Sequence, residues 1–244
     1  MKNQRTLIIG ANSAIAQAIS TELLIHGEQH LILISRKLET YCSGNYLGAQ
    51  KIQVSDYSEK TIEHAVSAIE NNNKSPITRV FICHGILHND VLQPEKCLES
   101  INAASFETVL KINALTPLLW IKYLTPKLTH KHPCKITVFS ARIGSISDNN
   151  LGGWYSYRAS KAALNMMLKT AAIELARRAK NIKLIAFHPG TTDTKLSKPF
   201  QKNVPDNKIF TTKFVAQQLL DIVNDKDIDG QLSYLDWQGK KISW

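Results

Sequence analysis

Seven short apolar runs, none longer than six residues, recur along the chain with helix-length patterns between them. They are Thr6–Ile9, His30–Ile34, Lys51–Val54, Arg79–Cys83, Lys135–Ser140, Lys183–Phe187 and Gln231–Leu235. Each is β-branched and nearly continuous in hydrophobicity. A strand with one wet face would alternate polar and apolar residues; these runs suit strands buried on both faces. Helical periodicity fills the intervals at Ala14–His26, Glu59–Asn71, Ser105–Leu124, Trp154–Ala179 and Lys213–Asn224. Strand and helix alternating from end to end predict an α/β fold, a doubly wound and mostly parallel seven-stranded sheet flanked by helices. No linker rich in Pro, Gly or Ser interrupts the pattern, and there is no repeat. Residues 1–244 are therefore expected to form a single domain, which 43% hydrophobic content can fill with a core.

Several functions are disfavoured at this level. No apolar run approaches the ~20 residues of a membrane span. The N-terminal MKNQRTLIIGANSAIA is broken by Gly10, Asn12 and Ser13, and reads as a buried strand and turn, not an export signal. Cys42, Cys83, Cys97 and Cys134 have neither CxxC nor framework spacing, and the eight histidines have no ligand spacing. Reduced thiols, a cytoplasmic location and no metal are expected. The net charge of +10 is dispersed, without a basic run. It suits a solvated surface that attracts small anions better than a nucleic-acid interface.

The first strand ends in Gly10-Ala11-Asn12-Ser13-Ala14-Ile15-Ala16 and leads into a helix. Unpaired amides and the positive end of the helix dipole make such a turn a phosphate site. The dinucleotide fingerprint asks for three glycines; here Ala14 and Ala16 replace two of them. The second strand ends in Ser35-Arg36-Lys37. An NAD site places a carboxylate there for the ribose diol, whereas a hydroxyl and two cations suit the 2′-phosphate of NADP. Two connections are long: Asp148–Gly153, and the polar segment Thr191–Thr212, expected as a substrate loop. In the latter, Phe200 and Phe210 suggest an apolar patch. Lys195, Lys198, Lys202 and Lys208 suit an anionic substrate or merely a soluble loop.

Tyr157-Arg158-Ala159-Ser160-Lys161 reads YxxxK. With the glycine-containing first turn, Asp56 in VSDYS, Asn113 in KINALTPL, Ser140 after the fifth strand and HPGTTDT after the sixth, the chain resembles the short-chain dehydrogenase/reductase family over nearly its whole length. SARIGSISDNNLGGWYSYRASKAALN is similar in particular to the branch that holds the C-factor signalling proteins and the sniffer-type carbonyl reductases. The resemblance implies a Rossmann-type fold and hydride transfer between a nicotinamide and a carbonyl or alcohol, with NADP(H) favoured over NAD(H). A C-factor-like nucleotide-binding regulator is the alternative.

The resemblance assigns Tyr157 as general acid and base, and chemistry explains its spacing from Lys161. Residues i and i+4 share a helix face, and an ammonium there would favour the phenolate. Lys161 is also implied to bond the nicotinamide ribose, Ser140 to hold the substrate oxygen, and Asn113 to keep a relay water. Ser145 and Ser147 remain rivals to Ser140, because the segment before Tyr157 is long. Cofactor contacts are implied for Gly10, Asn12, Ser13, Ala14, Ile15, Ser35, Arg36, Asp56, Tyr57, Gly85, Pro189, Gly190, Thr192 and Thr194, as well as Tyr157 and Lys161. Ile82-Cys83-His84-Gly85 departs from the family's Asn-Asn-Ala-Gly and keeps only the glycine. His84 and His88 are expected to be structural. Partners are a small-molecule substrate and a second copy of the chain, as dimer or tetramer through the helices holding Asn113 and Tyr157. Neither nucleic acid nor membrane is expected.

Overall fold

The computed structural model describes residues 4–28, 30–42, 44–71, 75–202 and 204–244. Its strands in chain order are β1 (Arg5–Ile9), β2 (Leu31–Ser35), β3 (Gln50–Gln53), β4 (Ile77–Ile82), β5 (Cys134–Phe139), β6 (Ile182–His188), β7 (Thr191–Thr192), β8 (Ile209–Phe210) and β9 (Ser233–Asp236). All seven apolar runs join one sheet, in the order β3-β2-β1-β4-β5-β6-β9, and every neighbouring pair is parallel. The helices are α1 (Ala14–Ile25), α2 (Glu59–Ser67), α3 (Ala103–Leu110), α4 (Thr116–Leu128), α5 (Tyr155–Arg178) and α6 (Thr212–Asp225).

Both faces of the sheet are covered, which is why its strands lack alternation. Side chains point to opposite faces at successive strand positions. In β1, Ile8 packs toward Ile19 and Leu23 of α1 and Val215 and Leu219 of α6. Leu7 and Ile9 instead face the layer of Ile62 from α2, Trp120 and Leu124 from α4, and Leu164 and Leu168 from α5. Polar side chains start the helices. Ser13 Oγ accepts from Ala16 N at 3.3 Å, and Thr211 Oγ1 accepts from Phe214 N at 3.1 Å. Among the described residues no helix is long and apolar enough to cross a membrane.

Two segments depart from expectation. The helix expected over Ser105–Leu124 extends from Ala103 to Leu128 and is interrupted by a π turn at Lys111–Leu115. Pro117 has no N–H to give the carbonyl four residues earlier, which is that of Asn113, and its ring crowds that carbonyl. Widening to a π turn relieves the clash, and such turns often mark functional sites. The segment expected as a substrate loop holds short elements of its own. It is pinned by the β7–β8 pair and a short turn at Lys198–Phe200. Asn203 within it lies outside the described residues.

The sheet reverses winding between β1 and β4. A crevice therefore opens beyond their carboxyl ends, where parallel α/β sheets bind ligands. Gly10, after β1, has φ +73°, and a Cβ there would stand 3.0 Å from the His84 backbone nitrogen after β4. Only glycine allows that turn.

Candidate active site

The crevice begins at the N-terminus of α1. Asn12 N donates to Ser35 Oγ at 3.4 Å, which ties the first turn to the end of β2. Ala14 and Ile15 supply first-turn amides that have no acceptor within the helix. The two alanines that replace glycine differ in effect: Ala16 is buried in the core under α1, whereas Ala14 faces outward. Beyond β2, Arg36 is exposed, with its guanidinium carbon 5.5 Å from the centroid of the Tyr57 ring. Tyr57 in turn stacks on His84 at 5.0 Å. Asp56 is engaged locally, its Oδ1 accepting from Ser58 N at 2.8 Å where α2 begins. Burial, aided by the charges of Lys161 and Arg36, pushes the His84 pKa down to about 3. The imidazole is neutral, and neither of its nitrogens has a partner.

Past β4 the backbone at Gly85 approaches the far side of the crevice. A Cβ there would lie 3.3 Å from Asn113 Oδ1 and 3.7 Å from Lys161 Nζ. Asn113, in the π turn, is wholly buried. Its Oδ1 accepts from Ile86 N at 2.8 Å, and its Nδ2 donates to Ile86 O at 2.8 Å and to Ser160 Oγ at 3.1 Å. The π turn, the loop after β4 and α5 are thereby joined through one amide.

Tyr157 and Lys161 stand on the same face of α5, with Nζ 5.8 Å from the phenol ring centroid. Lys161 Nζ donates to Phe139 O at 2.8 Å. Burial pushes the lysine down to about 8 and the Tyr157 phenol up from its ordinary value. Spacing alone implied a lowered phenol; the structure gives the opposite sense. Desolvation of the ring outweighs the ammonium, which is directed at a backbone carbonyl and is itself desolvated. A phenol held neutral is the protonation state that a proton donor needs.

A cavity of about 280 Å³ adjoins Tyr157. Ser140 and Tyr157 line it, whereas Ser145 and Ser147 do not; these two contact each other at 3.3 Å within the loop. Its apolar wall includes Leu87, Ile143, Trp154, Leu196 and Phe200. Trp154 and Phe200 meet at 4.8 Å between ring centroids. Phe210 is not part of this wall. It packs on Phe214 and Trp237, across Gly190, where a Cβ would strike its ring at 2.6 Å. Pro189 and Gly190 line the cavity, but none of the four loop lysines does. Thr192 and Thr194 brace the loop: Thr192 Oγ1 donates to Pro189 O at 3.4 Å, and Thr194 N donates to Ser197 Oγ at 3.3 Å. His88 Nε2 lies 3.1 Å from Leu196 O, at the rim.

Three contributors escaped the sequence reading. Glu95 is buried, and its carboxylate accepts from Ser156 N at 3.1 Å, which places an acid at the N-terminus of α5. Nothing in the sequence links it to a helix some sixty residues later. Trp154 precedes α5 with φ +54°, a left-handed conformation that costs a bulky residue energy and turns the indole against the cavity. Asn165 accepts from Ser140 Oγ at 2.6 Å. Its place eight residues after Tyr157, on the same helix face, was the available signal.

The crevice fits a dinucleotide. At Gly85 a Cβ would crowd Asn113 Oδ1 and Lys161 Nζ, the first amides of α1 would meet a pyrophosphate, and Arg36 is exposed for a further phosphate. Among the described residues, no three His, Cys, Asp or Glu side chains gather as a metal site would need.

The chain is similar to known proteins in sequence and fold. The short chain dehydrogenase family model matches residues 4–205. The 1-hydroxy-2-glutathionyl-2-methyl-3-butene dehydrogenase of Rhodococcus sp. (strain AD45) is 30% identical over 200 residues, covering 80% of each chain. The C-signal of Myxococcus xanthus is 27% identical over 60% of this chain and 83% of its own. Carbonyl reductase Sniffer of D. melanogaster shares the fold, with a TM-score of 0.84 at 19% identity over the whole of both chains. The chain belongs to the short chain dehydrogenase family of nicotinamide-dependent oxidoreductases.

Proposed function

We propose that the protein reduces a carbonyl compound with NADPH, Tyr157 giving the proton. The observation that supports this best is the convergence on one cavity of a neutral phenol, a serine hydroxyl and, beneath them, a desolvated lysine. NADPH, when bound, supplies the hydride to the carbonyl carbon. Gly10, Ala14 and Ile15 would hold its pyrophosphate, and Arg36 its 2′-phosphate, with no carboxylate at the end of β2 to repel it. Lys161 would bond the nicotinamide ribose across the bare edge of Gly85.

The residues then divide the work. Ser140 and Tyr157 hold the substrate oxygen by hydrogen bonds, which strengthen as that oxygen takes on negative charge. Tyr157 transfers its proton to the oxygen, and the resulting phenolate is stabilised by the Lys161 charge. Leu87, Trp154, Leu196 and Phe200 exclude water and select an apolar, aromatic body.

The test is a fluorescence titration with NADPH and NADH, followed by absorbance assays with aldehydes, ketones and quinones, para-nitrobenzaldehyde among them. Tyr157→Phe is expected to bind NADPH as the wild type does and to lose carbonyl reduction. Retained turnover would remove Tyr157 from its role. The C-signal similarity favours one second reading, a nucleotide-binding regulator; it predicts NADPH binding without turnover of any compound in the screen.

A further inference from the structure

Asn165 lies two turns beyond Tyr157, on the face of α5 that carries Tyr157 and Lys161. It is only 2% exposed, and no step described so far uses it. Its Oδ1 accepts the hydrogen of Ser140 Oγ at 2.6 Å, while its Nδ2 is buried without a partner. The Tyr234 hydroxyl, on β9, lies near enough for the amide to act on its titration. That hydroxyl nevertheless donates elsewhere, to Ala141 O at 2.7 Å.

This arrangement conflicts with the task given to Ser140. A hydroxyl has one hydrogen to donate. With that hydrogen committed to Asn165, Ser140 presents only lone pairs to the cavity, and a carbonyl substrate also offers only lone pairs. Turning the Asn165 amide by half a rotation resolves the conflict with almost the same heavy-atom positions. Nδ2 then donates to Ser140 Oγ, after the pair opens by a few tenths of an ångström to N–H···O length. The serine hydrogen is freed toward the cavity, and the orphan donor gains its acceptor. Oδ1 swings to the side of Tyr234, whose hydroxyl can leave Ala141 O and donate to it.

We propose that Asn165 is a positioning residue for carbonyl reduction, its amide fixing the direction of the Ser140 hydrogen bond so that the serine donates to the substrate oxygen. The proposal rests on the reading of Ser140 as the group that holds that oxygen.

A double-mutant cycle tests it, with NADPH and para-nitrobenzaldehyde as probes. Ser140→Ala and Asn165→Leu are each expected to lower kcat by roughly 10²-fold, the loss seen when one donor to a developing oxyanion is removed. NADPH affinity, read by fluorescence, should be unchanged. The double variant should be no slower than the slower single, because both remove one interaction. Multiplied losses, or a wild-type rate in Asn165→Leu, would overturn the proposal.

Asn165→Asp keeps the shape and the acceptor but deletes the donor, which guards against a packing fault in the leucine variant. Its rate should fall as the new carboxyl ionises and recover at lower pH, where the acid form can donate. A flat profile at the wild-type rate would also overturn the proposal. Should Ser140→Ala itself reduce the aldehyde at full rate, the reading of Ser140 falls and this inference with it. Should only the Asn165 variants be unimpaired, this inference alone falls.

Discussion

An ammonium buried at the foot of α5, with Phe139 O as its acceptor, loses more by leaving water than one carbonyl returns. That imbalance holds the Lys161 pKa near 8, below the ordinary 10.5, and its sign makes a prediction. Between those two values the unfolded chain binds a proton that the folded chain has released. Stability attributable to Lys161 therefore rises with pH across the window, by up to about 3 kcal/mol. Other lysines and tyrosines titrate there too, so the comparison must be differential. The melting temperature of ligand-free wild type, measured against Lys161→Met, is expected to improve steadily from neutral pH to about pH 10. A constant difference would mean that the ammonium is solvated. At this scale the sequence was informative about which groups meet and silent about solvent. A four-residue spacing in a helix brings Tyr157 and Lys161 together. It says nothing of the desolvation that sets the sense of the phenol's shift.

The long helix broken at Asn113 shows what an element adds to its residues. Pro117 forces the π turn, the turn carries the Asn113 amide inward, and the amide satisfies both polar groups of Ile86. Replacing it with leucine leaves a partly buried N–H and C=O without partners. Each costs about 1–3 kcal/mol, so Asn113→Leu is expected to lower unfolding free energy by roughly 2–4 kcal/mol in urea. The denaturant slope should not change, since the same surface is exposed on unfolding. A loss below about 0.5 kcal/mol, the range of ordinary surface substitutions, would show that the loop at Ile86 is held by other contacts. Most elements were legible in advance because strands buried on both faces announce themselves by continuous apolar runs. The π turn was not, although its cause, a proline four residues after a buried asparagine, stands in the sequence. Helical periodicity runs across it almost undisturbed, and periodicity was the signal being read. The β7–β8 pair was hidden for a different reason: two-residue strands have no pattern, and the pairing of Thr191 with Ile209 depends on how the loop closes.

At the scale of the molecule, sheet order explains why residues spread from Gly10 to Gly190 share one crevice. Every strand is parallel, so all carboxyl ends point the same way, and the reversal between β1 and β4 opens the space there. The fold thus gathers residues that sequence can only place in order; Glu95 and Tyr234 reach the site by that gathering alone. Charge acts on the same scale. A net +10 draws any anionic dinucleotide inward, and this general attraction is screened by salt over a Debye length of ~10 Å at ~0.1 M. It acts more strongly on NADPH than on NADH, because the 2′-phosphate adds about two negative charges. The exposed guanidinium of Arg36, proposed above as the partner of that phosphate, should add a further share to the salt dependence of NADPH. Plots of log Kd against log salt are expected to be steeper for NADPH than for NADH in the wild type. In Arg36→Asp the two slopes should draw closer, with NADPH affinity falling far more than NADH affinity. Parallel slopes in the wild type would instead assign the basic character of the chain to solubility and leave the 2′-phosphate unread.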